Sequence, residues 1–238
     1  PAGAAVGLEL DETLLKAYSC QDLEISPIAS AYIRARGTDP LSSYGDFIGI
    51  SRQVDQSTAK IIKKNVSDGI IAPGFDENAL RILKGKKGGK YIVLKVNPEY
   101  KSQEIEFREV NGLILSQNRN NIEISKESIL KNVVTNNFNF TSDACRDLLV
   151  ATISLKYTQS NSVAFALNGQ TIGIGAGQQS RLDCIKIAGN KAKTWFLKQH
   201  PKILTLPFRN SVSNIDRINA KSLFLEENLT EIQIKNIQ

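Results

Sequence analysis

The sequence predicts an α/β protein, and three patterns lead to that prediction. In the first half, apolar residues at helical spacing alternate with short apolar strands, as they do in layered α/β folds. Further along, Asn168-Gly169 separates two alternating apolar runs, which is the strongest local signal for a two-residue β-hairpin. A glycine-rich segment then leads directly into a long helical stretch. No short-period repeat or low-complexity tract interrupts this order.

In the first half, the predicted elements follow one another at short intervals. Apolar spacing and β-branched content give the order helix 58–66, strand 69–72, helix 77–83, loop 84–90 and strand 91–96. Pro73-Gly74 ends the first strand, and Asp76 is a suitable N-cap for the helix that follows. Lysines and glycines make up the loop 84–90, for which we favour a solvated surface turn over a phosphate-binding loop.

A second series of elements begins near Gln103. Its predicted order is strands within 105–115, helices 125–134 and 142–154, the hairpin, a helix from about 179 to 198, and a helix from 214 onward. The hairpin should bring the Asn161 end of its first strand beside residues 175–179 of its second strand. The next helix begins at Ser180-Arg181, and the free N–H groups of its first turn suit an anionic or carbonyl-bearing ligand.

Composition and length narrow the class of protein. The chain of 238 residues suffices for one large domain or two small ones, at roughly 100–200 residues per domain. No apolar run approaches the roughly 20 residues of a membrane helix, and no signal peptide is visible, so we expect no membrane association. The chain begins at Pro1 and contains no methionine, which leads us to expect a piece of a longer protein.

The net charge of +6 suits phosphorylated or polyanionic ligands. Clustered aromatic residues on which bases could stack are not evident, so we expect no nucleic-acid partner. Cys20, Cys145 and Cys184 form neither a disulfide framework nor a CxxC pair, and we expect buried or idle thiols in a reducing cytosol.

Two further patterns bear on catalysis. The H-x-E and P-C-x-x-C motifs of zinc deaminases are both missing from the sequence, so we expect neither zinc nor deaminase activity. His200 is the only histidine, and it follows the end of a predicted helix. There its charged form would be stabilised without a catalytic purpose, and we favour this structural role over that of a general base.

Three polar residues stand where strands and helices meet turns, and each has two interpretations. Asn161 can orient an amine or a carboxamide, because its amide both donates and accepts, or it can satisfy the backbone at a strand start. Arg181 can hold a carbonyl, ribose or phosphate oxygen, or it can be solvated after a tight turn. Asp68 can accept from ribose hydroxyls, or Asp68-Gly69 can be ordinary turn chemistry. The glycines before Arg181 match neither a Walker P-loop nor the dinucleotide pattern.

Four segments carry a resemblance to a known family. They are PAGAAVG at 1–7, SSYGDF at 42–47, VSDGIIAPG at 66–74 and LKYTQSNSVAFALNGQTIGIGAGQQSR at 155–181. In their order and spacing the sequence resembles the formyltransferase region of the aminoimidazole carboxamide ribonucleotide (AICAR) transformylase/IMP cyclohydrolase family. The resemblance covers nearly the whole chain but only part of that bifunctional enzyme.

This resemblance implies a fold and a division into domains. The family's transformylase region is a duplication of two cytidine-deaminase-like layered α/β subdomains, here without zinc. Residues 1–103 would form most of the first subdomain, residues 104–200 would open the second, and residues 201–238 would begin a helical insertion.

The resemblance also implies a reaction and a substrate site. The family transfers a formyl group from 10-formyltetrahydrofolate to the 5-amino group of AICAR in purine (IMP) biosynthesis. Asn161 matches a family residue that contacts the substrate near the reacting amine. Gly45, Asp68 and Arg181 match residues that contact the nucleotide, and Lys87 is a candidate phosphate ligand. We therefore expect the fold to gather these groups around one substrate.

For the second substrate and a cation, the implied residues come from three segments. Leu182 stands where the family usually has an isoleucine against the folate, whereas Leu41 lies in a stretch that departs from the family. A structural cation, potassium, would bind at Thr158, Ser160 and Ser162 if these hydroxyls alternate on an extended segment. Hydrogen-bonded core hydroxyls are the alternative.

The family places other parts of its machinery outside this sequence. Its catalytic Lys-His pair lies just before the PAGAAVG segment, its cyclohydrolase domain lies further upstream, and its folate pocket is completed across a homodimer. We therefore expect the 238 residues alone to be inactive or nearly so. The alternative is a non-catalytic module that binds a phosphorylated nucleotide or a nucleic acid through its basic surplus.

Overall fold

The structure is a computed structural model that describes residues 1–136 and 139–237. The helices are α1 Glu12–Ala17, α2 Pro27–Thr38, α3 Gln56–Lys64, α4 Glu77–Lys84, α5 Lys126–Leu130, α6 Ser142–Lys156, α7 Arg181–Leu197, α8 Pro201–Leu204, α9 Asn214–Leu225 and α10 Glu231–Asn236. The strands are β1 Asp46–Gly49, β2 Ser67–Ala72, β3 Ile92–Lys95, β4 Ile105–Val110, β5 Leu113–Asn118, β6 Ser162–Leu167 and β7 Gln170–Ala176. None of these helices is long and apolar enough to cross a lipid bilayer.

The first layer is a parallel sheet in the order β1-β2-β3, which confirms the predicted α/β class. The connections β1-α3-β2 and β2-α4-β3 each return the chain to the same sheet edge. Asp55 and Asp76 cap these two helices by accepting from Thr58 N and Ala79 N. Ile70 in the central strand is fully buried, as are residues of both helices that cover it.

The Asn168-Gly169 hairpin is present as predicted and joins β6 to β7. Both turn residues have positive φ (51° and 73°), the conformation that a type I′ turn requires. Along β7 every residue from Gln170 to Gly175 is buried, whereas Phe165 on β6 is 41% exposed. Every residue of β6 is at least partly exposed, so the apolar alternation of this strand does not result in full burial.

A second hairpin, β4-β5, projects from the fold. Its turn is Asn111-Gly112, again with positive φ at both residues. The predicted strand content of 105–115 is confirmed, although the turn was not anticipated. Phe107, Leu113 and Ile114 are each about two-thirds exposed or more. An exposed apolar hairpin of this kind is typical of a surface that another chain or domain covers.

One hydrophobic core joins segments on both sides of residue 103. Leu10 and Leu14 near the N-terminus and Ile70 in the sheet belong to the same buried cluster as Ile172 and Trp195. The N-terminal segment pairs with the start of β7, since Ala5 bridges to Gln170. The boundaries proposed at 103 and 200 thus remain a prediction, and the packing across the first of them is continuous.

Several elements differ in detail from the prediction. Helix α5 ends at Leu130, four residues earlier than expected, and the loop 84–90 contains a 3₁₀ turn at Lys86–Gly89. Within that turn Lys87 and Gly88 are left-handed, so the chain reverses sharply before β3. The predicted helix from 214 is present as α9.

The hairpin turn is held by a carboxylate from α6. Asp147 accepts hydrogen bonds from Asn168 N at 2.9 Å and Gly169 N at 2.5 Å. We expect Asp147→Ala to lower the free energy of unfolding by about 2 kcal/mol, because two amides lose a charged acceptor. Urea denaturation measures this change. Asp143→Ala, which removes an exposed pair with Arg146, should change stability by less than about 1 kcal/mol; equal losses in both variants would contradict the argument.

Candidate functional site

Three predicted site residues meet at the amino-terminal edge of the parallel sheet. Gly45 precedes β1, Asp68 is the second residue of β2, and Lys87 lies in the turn before β3. A Cβ added to Gly45 would lie 3.8 Å from Asp68 Oδ2, and Lys87 Nζ forms an ion pair with Asp68 Oδ1. We call these residues the Gly45 cluster. The side chains of Lys87 and Asp68 are about half exposed, so this ion pair is free to rearrange around a ligand.

Gly45 is suited to this position for a stereochemical reason. Its φ is 77°, a conformation that other residues rarely adopt, and no side chain separates its backbone from Asp68. A ligand can therefore approach the main chain and the carboxylate together.

A buried polar layer lies next to the Gly45 cluster. Lys86 is 7% exposed, donates to Asn65 O, and its Nζ is 5.1 Å from the centroid of the Tyr91 ring. Tyr91 shares a hydrogen bond of 3.1 Å with Ser67. Burial lowers the pKa of Lys86, helped by the adjacent Lys87, and burial raises the pKa of Tyr91 to about 12. The expected solvated turn is therefore wrong for Lys86, which is a core residue.

The turn before β1 is fixed by Arg36 of α2. Its Nη1 donates to Ser43 O at 2.7 Å and to Asp46 Oδ2 at 3.2 Å. Burial raises the pKa of Asp46, although the nearby Arg36 opposes this shift. The sequence analysis did not predict this pair, although the carboxylate next to Gly45 in the SSYGDF segment was a signal for it.

Asn161 lies at the open end of the β6-β7 hairpin, opposite its Asn168-Gly169 turn and beside Gln178, as predicted. Its Nδ2 donates to Gln178 O at 3.1 Å and to Gln179 O at 3.0 Å, and its backbone oxygen accepts from Cys184 Sγ at 3.0 Å. The backbone role that was weighed as an alternative is therefore present. Among the described residues no donor reaches Asn161 Oδ1, so this oxygen can accept from an amine. We call Asn161 with the carbonyls of Gln178 and Gln179 the Asn161 corner.

Arg181 and Leu182 begin α7 next to the Asn161 corner. Ser180 is the N-cap and accepts from Leu182 N at 3.1 Å. Arg181 is exposed and has no hydrogen-bond or ion-pair partner among the residues that the structure describes. Leu182 is 59% exposed. A free guanidinium beside a helix N-terminus and an apolar side chain can hold an anionic, partly apolar ligand.

The glycine segment before α7 has a structural explanation. Gly173 and Gly175 lie in β7 where the strand touches the backbone of α7, and Gly177 forms the turn with φ of 67°. A Cβ on Gly175 would lie 2.1 Å from Cys184 O. The tight strand-to-helix turn is thus confirmed, and two of its glycines serve helix packing.

The Gly45 cluster and the Asn161 corner are not joined within the single chain. Across residues 1–136 and 139–237, no described hydrogen bond or ion pair links them. The turn that contains half-buried Leu41 instead contacts the middle of α7, where Asp39 pairs with Lys191 at 2.7 Å. Lys191 lies ten residues beyond Arg181, roughly 15 Å along the helix axis. The expected gathering of all four groups around one substrate therefore stays a prediction.

Two cavities lie away from these groups. One of about 500 Å³ lies between α2, α3 and the start of α9, and one of about 310 Å³ lies between α1, α2 and the hairpin turn. Neither is lined by a predicted site residue. The cavities therefore give no evidence for the predicted site. The evidence for it consists of the contacts described above.

The predicted cation site is arranged differently from the expectation. Residues 157–161 belong to no strand, and β6 begins only at Ser162, so the hydroxyls do not alternate along one extended segment. Thr158 Oγ1 donates to Ser154 O at 2.6 Å at the end of α6, which matches the alternative of a bonded hydroxyl. In the described part of the chain, no group of three or more His, Cys, Asp and Glu residues could hold a metal ion.

His200 and the cysteines have structural places. His200 follows the end of α7, as predicted, and its backbone N–H donates to Leu197 O at 3.0 Å. Its Nδ1 also accepts from Lys202 N at 3.2 Å, so the ring caps α8 as well. The ring caps α8 because this helix begins at Pro201, directly after His200. Cys20, Cys145 and Cys184 are free and buried, as predicted.

Comparison with known proteins identifies a single family. The family model described as AICARFT/IMPCHase bienzyme matches residues 1–191. The bifunctional purine biosynthesis protein PurH of Aquifex aeolicus (strain VF5) is 35% identical over 192 residues, which are 79% of this chain and 36% of the relative. PurH of Persephonella marina (strain DSM 14350 / EX-H1) is 35% identical over 197 residues, 81% of this chain and 37% of the relative. The chain thus spans little more than a third of the length of these relatives.

Proposed function

The chain belongs to the AICARFT/IMPCHase bienzyme family, and on that premise we propose that it takes part in formyl transfer from 10-formyltetrahydrofolate to the 5-amino group of AICAR. The membership confirms the resemblance predicted from the sequence. Relatives of this chain carry the name of bifunctional purine biosynthesis proteins, which supports the assignment to purine biosynthesis.

The observation that carries this proposal is the Gly45 cluster. Gly45 and Asp68 come from two segments that the resemblance assigns independently to nucleotide binding, and a Cβ added to Gly45 would lie 3.8 Å from Asp68 Oδ2. In the proposal, Asp68 accepts from ribose hydroxyls, Gly45 offers its backbone, and Lys87 moves from Asp68 to a phosphate.

The reacting amine is assigned to the Asn161 corner. The amine of AICAR is a poor nucleophile because its ring and carboxamide withdraw electrons, so a base, an electrostatic stabiliser and close alignment are required. Asn161 Oδ1 is positioned to accept from the amine, since Nδ2 is held by two carbonyls. The base and the stabiliser would be the family's Lys-His pair.

Arg181 would hold the nucleotide from the second side, and Leu182 and Leu41 would contact the folate. Because the Gly45 cluster and the Asn161 corner are separate in one chain, we propose that a homodimer completes the site. The exposed apolar residues of the β4-β5 hairpin support association with a second copy. The same proposal includes a duplicated deaminase-like architecture, with units 1–103 and 104–200 and an insertion from 201, and a cytosolic location. It also includes a potassium ion at Thr158, Ser160 and Ser162, which would bind without the strand alternation that was expected of these hydroxyls.

Calorimetric titration of the 238-residue chain with AICAR tests the substrate assignment. We expect Asp68→Asn and Arg181→Ala each to weaken binding about tenfold or more, since each removes a charged hydrogen-bonding group. Arg52→Ala is the control, because Arg52 is exposed and lies in neither group.

Two results would count against the proposal. One is AICAR affinity that is unchanged in both variants. The other is salt-dependent binding to random oligonucleotides without AICAR binding, which would favour the nucleic-acid module instead. A formyl-transfer assay that compares the 238-residue chain with a longer chain carrying the family's Lys-His pair separates binding from catalysis.

A further inference from the structure

Arg34 in α2 is a buried cation without an ion-pair partner. Its side chain is 2% exposed, and Nη2 donates to Asn168 O in the hairpin turn. Among the described residues, neither Nε nor Nη1 forms a hydrogen bond, and no carboxylate lies within ion-pair distance of the guanidinium. Buried charges are ordinarily paired, because removing an ion from water is unfavourable. Arg34 therefore lacks the counterion that its burial calls for.

The nearest carboxylates are occupied elsewhere. Asp11 Oδ1 accepts from Leu14 N at 2.8 Å and caps α1, and Asp147 accepts from both amides of the hairpin turn. Burial lowers the pKa of Arg34, and although Asp11 and Asp147 oppose that shift, Arg146 adds to it. These contacts hold local structure and leave Nε and Nη1 of the guanidinium without a partner among the described residues.

Arg34 lines the cavity of about 310 Å³ between α1, α2 and the hairpin, a size within the range of small-molecule sites. Three kinds of surface meet there. Glu9, Asp11 and Asp143 contribute carboxylates, and Gln170 contributes a buried Oε1 to which no described residue donates a hydrogen bond. The apolar wall consists of Leu8, Leu14, Leu167 and Trp195.

We propose that this cavity binds an α-amino acid with an apolar side chain. The ligand's carboxylate would pair with Arg34, its ammonium group would face Glu9 and the neighbouring acidic rim, and its side chain would lie on the leucine and tryptophan wall. A simple anion fits less well, because the acidic residues of the lining outnumber the arginines. A zwitterion matches both signs of charge, and the apolar wall adds affinity through burial.

Titration of the 238-residue chain with three matched probes tests the charge pattern. L-leucine carries both charges, 4-methylpentanoate lacks the ammonium group, and 3-methylbutylamine lacks the carboxylate. We expect L-leucine to bind at least about tenfold more tightly than either analogue, since each analogue loses one charged hydrogen-bonding group. Equal affinities, or no binding of L-leucine, would overturn the proposal and leave only water in the cavity.

Two variants assign the groups. Glu9 is exposed and has no partner among the described residues, so Glu9→Gln should fold normally, weaken L-leucine and leave 4-methylpentanoate unchanged. Arg34→Lys keeps the charge but loses the planar fork, and it should weaken both carboxylates. Glu24→Gln, an exposed change elsewhere, is the control. Unchanged L-leucine affinity in Glu9→Gln would refute the assignment even if Arg34→Lys proved unstable.

Discussion

Gly175→Ala should lower the free energy of unfolding by about 3 kcal/mol or more. The added Cβ would lie 2.1 Å from Cys184 O and 3.0 Å from Cys184 C, both backbone atoms of α7. Neither atom can move without shifting the helix from β7, and overpacking against a rigid backbone is among the larger effects of a single substitution. Urea denaturation followed by circular dichroism measures the loss.

The matched control is Gly189→Ala in α7 itself. A Cβ at Gly189 meets no atom within 4 Å, so the substitution should stabilise the helix by up to about 1 kcal/mol. If Gly175→Ala lowered the free energy of unfolding by no more than Gly189→Ala changes it, β7 and α7 would not be in backbone contact. Because Cys184 Sγ donates to Asn161 O, a shifted helix should also disturb the Asn161 corner.

Lys198→Met should raise the free energy of unfolding at pH 7 by about 2 kcal/mol. Lys198 is 6% exposed at the end of α7, and the one hydrogen bond of its Nζ to a described residue is a long one of 3.4 Å to Gly37 O. Burial lowers the pKa of this lysine to about 8, although Asp39 and Glu226 oppose the shift. Methionine fills a similar volume without a buried charge, which outweighs the lost hydrogen bond.

The same lysine predicts a pH dependence. In the unfolded chain it keeps its proton up to about pH 10.5, whereas in the folded chain it loses the proton near pH 8. Between these values the unfolded state binds more protons at this residue, so the contribution of Lys198 to the stability of the wild type rises with pH. The advantage of Lys198→Met should therefore shrink from pH 8 to 10.5. A constant difference over this interval, or the same gain in the exposed Lys202→Met, would contradict the argument.

Much of the local structure could be predicted from the sequence. The Asn168-Gly169 turn, the Asp76 cap and the strand at 91–96 all depend on residues within a few positions of one another. The family resemblance likewise rested on short segments in a fixed order, and the comparisons confirmed it. Position 158 shows the limit, because the alternation assumed for three hydroxyls required a strand that starts only at Ser162.

The candidate site was predictable as a set of residues but not as a geometry. Gly45, Asp68 and Asn161 were identified from their segments, yet only the fold shows that the first two are neighbours and that the Asn161 side chain donates to Gln178 O and Gln179 O. Lys86 and Lys87 are adjacent in a lysine-rich loop, but one is buried over Tyr91 and the other pairs with Asp68. Sequence composition alone assigns both to the surface.

The sequence by itself determined the order of elements from 58 to 96, the Asn168-Gly169 turn, the Asp76 cap and the family, because these depend on neighbouring residues and on motif spacing. Only the tertiary structure decided which charges are buried. Arg34, Lys86 and Lys198 are basic residues in ordinary helical or loop contexts, and each is covered by segments distant along the chain. Burial is the sum of such distant contacts, so the energetic character of a charged side chain emerges only when the fold removes it from water.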